Sequence, residues 1–519
     1  MKIQEIFKEV DLINVNGSME REISSVYYDS RKVDKGSLFV AIKGLKSDGH
    51  NYLGEAIKRG AKAVVVENGL LVGDFKSKIR NPKSEITYIT VRDSRKALAL
   101  ISANFYGHPS REMSVIGITG TNGKTTISYL INSILKVNGF KTGLIGTIDY
   151  RFDGEIIPSS HTTPESLDLQ QLFKRIAVSG GKYCVMEVSS HSLELDRVYG
   201  TRFETGVFTN LTQDHLDFHG NLEKYFFAKA RLFKEYGLKK VVINIDDPYG
   251  RRLIKDIKAE RALTYGIKED ADVKADDINI SINGLKFTAN TPIGKLNVES
   301  RLLGMHNVYN ILASVSTAIL EGLSGESIIK GIVLLETVPG RLEGINEGQD
   351  FTVLVDYAHT DDALKNVLKA AREIPHNRIT IVFGCGGDRD RGKRPLMGKA
   401  AVKYSDFAII TSDNPRSEEP LKIIEEIEKG IKQWSVVSGQ WSVDDRYIKI
   451  SDRKEAIEYA INNASKGDIV IIAGKGHEDY QIFKDKKIHF DDREVAREAI
   501  RKYKVKVEVK NFTQPQPKP

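Results

Sequence analysis

Two cysteines in 519 residues, Cys184 and Cys385, are too few for a disulfide framework. No run of apolar residues is long enough to span a bilayer, which argues against membrane insertion. The opening residues, Met1-Lys2-Ile3-Gln4-Glu5-Ile6, are charged and amphipathic and lack the apolar core of a signal peptide. Charge of one sign is also scarce. The 77 basic and 70 acidic residues are interspersed and leave a net charge of +7. There is no basic block with interleaved aromatics, so nucleic acid is not an expected partner. No internal repeat of 20–50 residues is present. These absences leave a cytoplasmic enzyme as the expectation. The hydrophobic fraction of 40% and charged fraction of 28% are those of a globular chain, and the length suits about three domains. A mildly positive balance fits clefts for phosphorylated or carboxylated small molecules.

The stretch that organises the chain is Gly117-Ile118-Thr119-Gly120-Thr121-Asn122-Gly123-Lys124-Thr125-Thr126. It follows a strand-like run, Ser114 to Ile118. It precedes a helical pattern with Leu130, Ile131, Ile134 and Leu135 on one face. Strand, glycine loop and helix form the context of a phosphate-binding loop. Gly120 and Gly123 allow the backbone N–H groups to approach phosphate oxygens. Lys124 supplies a point charge for the outer phosphates. The hydroxyl of Thr125 or Thr126 can ligate Mg²⁺, and the helix directs its positive end at the anion. The strict G-x-x-x-x-G-K-[ST] spacing is not met, because position 118 is Ile.

Taken in order, residues 1–110 alternate short β-rich runs with helical ones. Val26–Tyr28, Leu38–Ile42, Ala63–Val66 and Ile86–Val91 read as strands and Ser94–Tyr106 as a helix, giving a small α/β domain. Gly107-His108-Pro109-Ser110 reads as a linker. Residues 111–337 continue as α/β, with strands at Tyr183–Val188, Thr205–Asn210 and Lys240–Asn244. Alternation of strands and helices implies a mainly parallel sheet whose ligands sit at the carboxyl ends of its strands. Residues 272–300 read as a β-hairpin insertion turning at Asn283-Gly284. After a second hinge at Val338-Pro339-Gly340-Arg341, residues 338–505 form a third α/β domain. Its strands are expected at Thr352–Asp356, Ile379–Gly384, Phe407–Thr411 and Asp468–Ala473. The tail 506–519, polar and ending in Pro-rich sequence, is expected to be disordered.

Several strand ends carry groups able to do chemistry. Glu187 closes a strand that can lie beside the phosphate loop. His215 lies in Asp214-His215-Leu216-Asp217-Phe218-His219, after the Thr209-Asn210 strand end. A carboxylate, an imidazole and the loop threonine could hold Mg²⁺ near a nucleotide; the plain alternative is a polar loop. Lys229, among apolar residues in Tyr225–Phe233, reads on spacing alone as a snorkelling helix lysine. Burial would instead lower its pKa. In the third domain Arg389 sits in a polar loop, Arg416 follows Asp413-Asn414-Pro415, and Glu478 ends Ala473-Gly474-Lys475-Gly476-His477-Glu478. Pro415 stiffens its turn, and Arg416 offers a planar fork suited to a carboxylate. Three such loops in one domain point to a site for a zwitterion.

With these motifs in order, the chain resembles the Mur ligases from about residue 20 to 495. The resemblance rests on Gly120–Thr126, Glu187–His191, Asp214–Asp217, Ala228–Phe233, His306–Asn310, Pro339–Arg341 and Asp356–His359. It implies a UDP-binding N-terminal domain, a central P-loop ATPase-type domain and a Rossmann-like C-terminal domain that holds an amino acid. It implies that Ser30 contacts the UDP end, and that Thr162, Thr163, Ser189 and Arg197 hold the muramoyl-peptide. It places Gly120–Thr126, Asn307, Arg341 and Asp356 on ATP. It assigns Arg389, Asp413–Arg416, Gly474 and Glu478 to the incoming amino acid. Lys229 matches the family's carbamylated lysine, with a CO2-derived carbamate serving the metal beside Thr125, Thr126, Glu187 and His215. This replaces the snorkelling reading. Leu195 departs from the pattern, since some members carry a polar substrate contact there. Catalysis would involve Lys124, Glu187, His215 and Lys229. The co-substrate would be ATP, the acceptor UDP-MurNAc-L-Ala-D-Glu, and the amino acid meso-diaminopimelate, as Arg416 suggests. Two rivals are a folylpolyglutamate synthetase, against which the Asp413–Arg416 loop and the UDP-type first domain argue, and a nucleotide-driven switch or transport ATPase that makes no covalent product.

Overall fold

A computed structural model describes residues 1–44, 47–67, 85–281, 283–438, 444–484 and 486–513. The chain groups into two compact units. The first comprises Met1–Thr212, His219–Asp272 and Ala313–Gly331; the second comprises Gln213–Phe218, Val273–Leu312 and Ile332–Pro519. Both are α/β, each with a mainly parallel sheet.

The first unit opens with a five-stranded sheet in the order β1-β5-β4-β3-β2. Its strands are β1 (Leu12–Asn16), β2 (Val26–Tyr27), β3 (Leu38–Val40), β4 (Ala63–Glu67) and β5 (Thr87–Val91). The pleat sends alternate side chains to opposite faces. Leu38, Val40, Ala63 and Val65 join one core and Phe39, Val64 and Val66 another, which explains the continuous apolar runs. The helix Ser94–Tyr106 has the expected bounds. Asp93 accepts from Arg95 N and Lys96 N at its start, and left-handed Gly107 ends it. The expected linker is packed rather than loose. Pro109–Arg111 form a 3₁₀ turn, and buried Ser110 accepts a hydrogen bond from Arg202 N at 3.1 Å.

The same unit carries a larger sheet. Its strands are β6 (Ser114–Thr119), β7 (Thr142–Ile145), β8 (Asp149–Phe152), β9 (Glu155–Pro158), β10 (Tyr183–Glu187), β11 (Thr205–Phe208), β12 (Lys240–Asn244) and β13 (Arg261–Gly266). Their order is β13-β12-β11-β6-β10-β7-β8-β9, parallel from β13 to β7 and antiparallel beyond. The order reverses direction around β6. Its neighbours are β11 on one side and β10 on the other, so a loop leaving β6 opens into the crevice where ligands of such sheets bind.

In the second unit β14 (Val273–Ser281), β15 (Gly284–Thr291) and β16 (Gly294–Ser300) form an antiparallel meander, one strand more than the expected hairpin. Gly284 pairs with Ser281 and so belongs to β15 rather than to the turn; residue 282 lies outside the described residues. A six-stranded sheet follows, in the order β17-β18-β22-β19-β20-β21. The strands are β17 (Glu343–Ile345), β18 (Thr352–Asp356), β19 (Ile379–Phe383), β20 (Phe407–Ile410), β21 (Tyr447–Lys449) and β22 (Ile469–Ala473). All but β17 run parallel. Along β22, Ile469, Ile471 and Ala473 face one core while Val470 and Ile472 face the other. The hairpin β23 (Tyr480–Phe483) and β24 (Lys486–His489) lies outside that sheet. The last helix runs from Asp492 to Thr513, through a stretch expected to be unfolded from 506. Val505, Lys506, Val507, Glu508 and Val509 contain no helix breaker, and the first proline of the tail is Pro515; 514–519 lie outside the described residues. Among the described residues no helix is long and apolar enough to cross a membrane. Cys184 and Cys385 are both buried free thiols, and burial pushes Cys385 up to about 12.

Candidate functional site

The loop after β6 turns at Gly120, with φ of 149°, and at Gly123, with φ of 90°. A side chain at Gly120 would run into Thr209 and Asn210, so the close approach of the β11 end requires glycine. The loop is fixed from that side. Thr121 N donates to Asn210 O at 2.8 Å, Asn122 N to Asn210 Oδ1 at 2.9 Å, and Thr209 Oγ1 to Asn122 O at 2.6 Å. Lys124 opens the helix Lys124–Val137, and its Nζ donates back to Gly120 O at 3.0 Å and Thr121 O at 2.8 Å. Lys229 is 1% exposed, and its Nζ also donates to Gly120 O, at 2.8 Å, with the Tyr225 ring centroid 4.5 Å away. The side chain therefore points into the loop and not to solvent, the opposite of snorkelling. Two side-chain nitrogens thus share one carbonyl oxygen, that of Gly120.

Glu187, 1% exposed at the end of β10, faces this loop from the other side. It accepts from Thr125 Oγ1 at 3.0 Å, from Thr147 N at 2.8 Å and from Thr147 Oγ1 at 3.0 Å. Thr126 is buried beside Thr125. Sequence reasoning missed Thr147, which follows the end of β7, and Asn210 and Thr209, which follow β11; position just past a parallel strand was the available signal.

The network continues from Glu187 without a break. Thr147 Oγ1 is 3.1 Å from Thr162 Oγ1. Thr163 Oγ1 donates to Glu187 O at 2.8 Å and accepts from Ser189 N at 3.1 Å. Ser189 caps a short helix through Ser192 N. Arg197 Nη1 donates to Thr163 O at 3.2 Å, and Arg197 Nε lies 3.4 Å from Glu165, which also faces Arg95. The structure thus joins Thr162, Thr163, Ser189 and Arg197 to the phosphate loop through Glu187. Ser30 stands apart in the N-terminal sheet region, buried, its Oγ donating to Glu55 at 3.3 Å.

The remaining expected residues belong to the second unit. His215, in a left-handed conformation with φ of 53°, lies 3.4 Å from Asp214. Asn307 Nδ2 donates to Leu303 O at 2.8 Å and Asn307 Oδ1 accepts from Asn310 Nδ2 at 2.8 Å. Asp356 ends β18 and accepts from Leu342 N at 2.7 Å and Ala358 N at 2.8 Å, and burial raises its carboxyl above the usual range. The Arg341 guanidinium lies 5.0 Å from the Tyr357 ring centroid. Among the described residues no three His, Cys, Asp or Glu side chains gather as a metal cluster.

Three strand-end loops meet at the carboxyl edge of the second unit's sheet, because β22 lies beside β19 and β19 beside β20. Gly387 N donates to Asn414 O at 2.9 Å, and Ser417 Oγ to Asp388 Oδ1 at 2.6 Å. Asn414 Nδ2 donates to Glu478 Oε2 at 2.9 Å and Gln481 Nε2 to Asp413 O at 2.7 Å. Gly474 adopts φ of 118°, a conformation strained for any residue with a side chain, and a Cβ there would stand 2.6 Å from Asp413 Oδ2. Arg416 adopts φ of 52°, unusual for a residue with a side chain, and is clamped there by Arg416 N to Ile482 O at 3.0 Å and Lys484 N to Arg416 O at 2.6 Å. Its Nη1 donates to Gly387 O at 2.7 Å. Pro415 is buried, and exposed Arg389 donates from Nη1 to Asp388 O at 3.3 Å. Sequence reasoning missed three fully buried cations here, Arg394, Arg453 and Lys475. A charged residue looks solvated in sequence unless its partners are known.

This pairing of a phosphate loop with a separate strand-end site is that of an ATP-using ligase fold, and the chain belongs to the Mur ligase family. The descriptions "Mur ligase family, catalytic domain", "Mur ligase middle domain" and "Mur ligase, glutamate ligase domain" match residues 22–106, 118–318 and 340–476. The UDP-N-acetylmuramoyl-L-alanyl-D-glutamate–2,6-diaminopimelate ligase of Clostridium tetani is 47% identical over 502 residues, covering 96% of this chain and 99% of that one. The protein of that name from Solibacter usitatus is 47% identical over 487 residues, covering 93% and 94%. A solved structure of a ligase of the same name superposes with a TM-score of 0.67 at 35% identity, over 97% of this chain and 99% of that one.

Proposed function

We propose that this chain is the ATP-dependent ligase that joins meso-diaminopimelate to the D-glutamyl carboxylate of UDP-MurNAc-L-Ala-D-Glu, a cytoplasmic step of peptidoglycan synthesis. The observation that carries the reading is that the likeness to ligases of that name spans both the phosphate loop and the Asp413–Arg416 loop. In this reading 1–110 hold the UDP end, 111–337 bind ATP and 338–505 bind the amino acid. A carboxylate is a poor electrophile, so the γ-phosphoryl of ATP passes to it, giving an acyl phosphate and ADP. The free amine of the amino acid then attacks the carbonyl carbon; the C–O bond to phosphate breaks, phosphate leaves, and the amine gives up a proton as the amide forms. Lys124 neutralises charge on the transferring group, and Gly120–Thr126 offer backbone N–H groups and a helix start to the phosphates. Asn307, Arg341 and Asp356 contact the nucleotide. Ser30, Thr162, Thr163, Ser189 and Arg197 hold the UDP-muramoyl-dipeptide. Arg389, Asp413, Asn414, Pro415, Arg416, Gly474 and Glu478 hold meso-diaminopimelate.

Mg²⁺ fits the residues present. Thr125 and Glu187 bring a hydroxyl and a carboxylate within 3.0 Å of each other, an all-oxygen donor set suited to a hard cation. With Thr126, His215 and a carbamate on Lys229 they would hold the ion, which supplies charge neutralisation at the phosphates. Lys229 fits the modified form, since a buried ammonium beside the loop lysine is electrostatically unfavourable and a carbamate reverses its sign. Product mass spectrometry with UDP-MurNAc-L-Ala-D-Glu, ATP and a panel of amino acids tests the reading. A diaminopimelate-containing tripeptide with equimolar ADP and phosphate is expected. Phosphate release without any amide product would point to the switch reading instead.

A further inference from the structure

Lys475 follows β22 and is 0% exposed. Nothing in the packing of that strand calls for a cation, since Ile469–Ala473 are all apolar and buried. Its Nζ lies 3.3 Å from Asn414 Oδ1 and 3.4 Å from Glu478 Oε2, with the Tyr480 ring centroid at 5.4 Å. Asn414 Nδ2 closes the triangle by donating to the same Glu478 oxygen at 2.9 Å. Asn414 Oδ1 accepts in addition from Ile482 N at 2.9 Å, which fixes the amide's orientation. A buried ammonium persists only where a carboxylate and oriented dipoles compensate its lost hydration, and here Glu478 and Asn414, from two loops, supply them.

We infer that Lys475 is a positioning residue for amino-acid recognition: together with the Asn414 amide it locks the Glu478 carboxylate in place as the acceptor for an ammonium group of the substrate. The inference rests on the reading of this loop cluster as the amino-acid site and adds a residue to it. Asp413, Tyr357, Tyr480 and Arg453 also face Glu478 electrostatically. Burial pushes the Glu478 carboxyl up, and the Lys475 charge is the main influence holding it down, against the like charge of Asp413. An acceptor for an ammonium must be ionised, so binding of the amino acid weakens as the pH falls through the raised pKa of Glu478. Without Lys475 that loss moves to higher pH.

The test compares Lys475→Met, Lys475→Gln, Glu478→Gln and the double variant Lys475→Met/Glu478→Gln. Lys475→Met is expected to raise KM for meso-diaminopimelate by roughly 10- to 100-fold, the worth of a hydrogen bond to a charged group. KM for ATP stays near wild type. The acid limb of kcat/KM for the amino acid shifts upward in pH. Lys475→Gln, which keeps a donor without the charge, recovers part of the KM but not the limb. In the Glu478→Gln background the added Lys475→Met has little further effect, because its partner charge is already gone. A lysine that merely fills the core would lower the melting temperature in Lys475→Met and Lys475→Gln and leave KM and the acid limb unmoved; that result overturns the inference. Should Lys475→Met fail to fold, the acid limb of Lys475→Gln decides. Wild-type enzyme that ligates no amino acid at all would instead sink the underlying functional reading.

Discussion

One carbonyl oxygen, that of Gly120, accepts from both Lys124 and Lys229. The two residues have different surroundings, and that sets their roles. Lys124 opens a helix at the crevice, is only half-buried and donates to two carbonyls of its own loop, so it is not a core side chain. Alanine is moreover the better helix former. Lys124→Ala should cut ligation by at least about a hundredfold, the usual cost of one donor to developing charge. Its melting temperature should stay within a few degrees of wild type. Steady-state rates beside a thermal melt check this, and a near-normal rate would remove Lys124 from phosphate binding. Lys229 could not be placed by spacing alone. Its neighbours Tyr225, Phe226, Ala228 and Ala230 announce a buried face, yet Lys229 Nζ reaches a loop 109 residues away in sequence, and only the fold supplies that contact. Lys475 was opaque for the same reason.

At the scale of elements, strand order decides which loops meet. The long parallel strands β6, β10, β18, β19 and β22 were legible because apolar runs buried on both faces differ sharply from their surroundings. Short edge elements were not: β1, half polar, and the β23–β24 hairpin, mostly exposed, carry no such contrast. That hairpin nevertheless clamps Arg416, so part of the candidate site's geometry was hidden with it. A second hidden device joins two helix starts. Arg453 opens the helix Arg453–Asn462 and Asp492 opens the last helix, and their side chains form a wholly buried bidentate pair at 2.7 and 2.8 Å. Arg453 also donates to Ala473 O at 2.9 Å and Ser412 O at 3.4 Å, at the roots of the Gly474 and Asp413 loops. Breaking one side leaves a buried charge alone: Asp492→Ala should destabilise by about 3–5 kcal/mol. The double change Arg453→Met/Asp492→Leu, apolar on both sides, should regain most of that stability. It should still raise KM for the amino acid, because the two loop roots lose their common donor. Denaturant unfolding and amino-acid KM, measured on both variants, separate stability from loop placement. A double variant with wild-type KM would show that the pair serves folding alone.

Across the whole molecule, the two compact units carry different parts of the chemistry in the proposed reading, and binding should therefore leave different footprints. A ligand that binds only the folded state slows local opening by its binding free energy, about 2.7 kcal/mol at a hundredfold excess over Kd, or roughly a hundredfold in exchange rate. A non-hydrolysable ATP analogue should slow amide exchange at residues 119–126 in the first unit and near 340–342 and 356–358 in the second. Meso-diaminopimelate should slow it at 412–418 and 473–483 and leave 119–126 unchanged. L-lysine shares the attacking amine and the long chain but lacks the distal carboxylate. Arg416, its backbone clamped and its Nη1 committed to Gly387 O, presents a guanidinium that would meet a carboxylate in one case and an ammonium in the other. The mismatch leaves a charge unpaired in a desolvated loop, a penalty of roughly 2–5 kcal/mol. Lysine at the same concentration should therefore give no measurable protection at 412–418. Arg416→Ala should abolish the diaminopimelate footprint there while sparing the one at 119–126. Equal protection by lysine and diaminopimelate in the wild-type chain would show that Arg416 does not read the distal carboxylate, and amino-acid selectivity would have to be sought in the Asp413, Asn414 and Glu478 side chains alone.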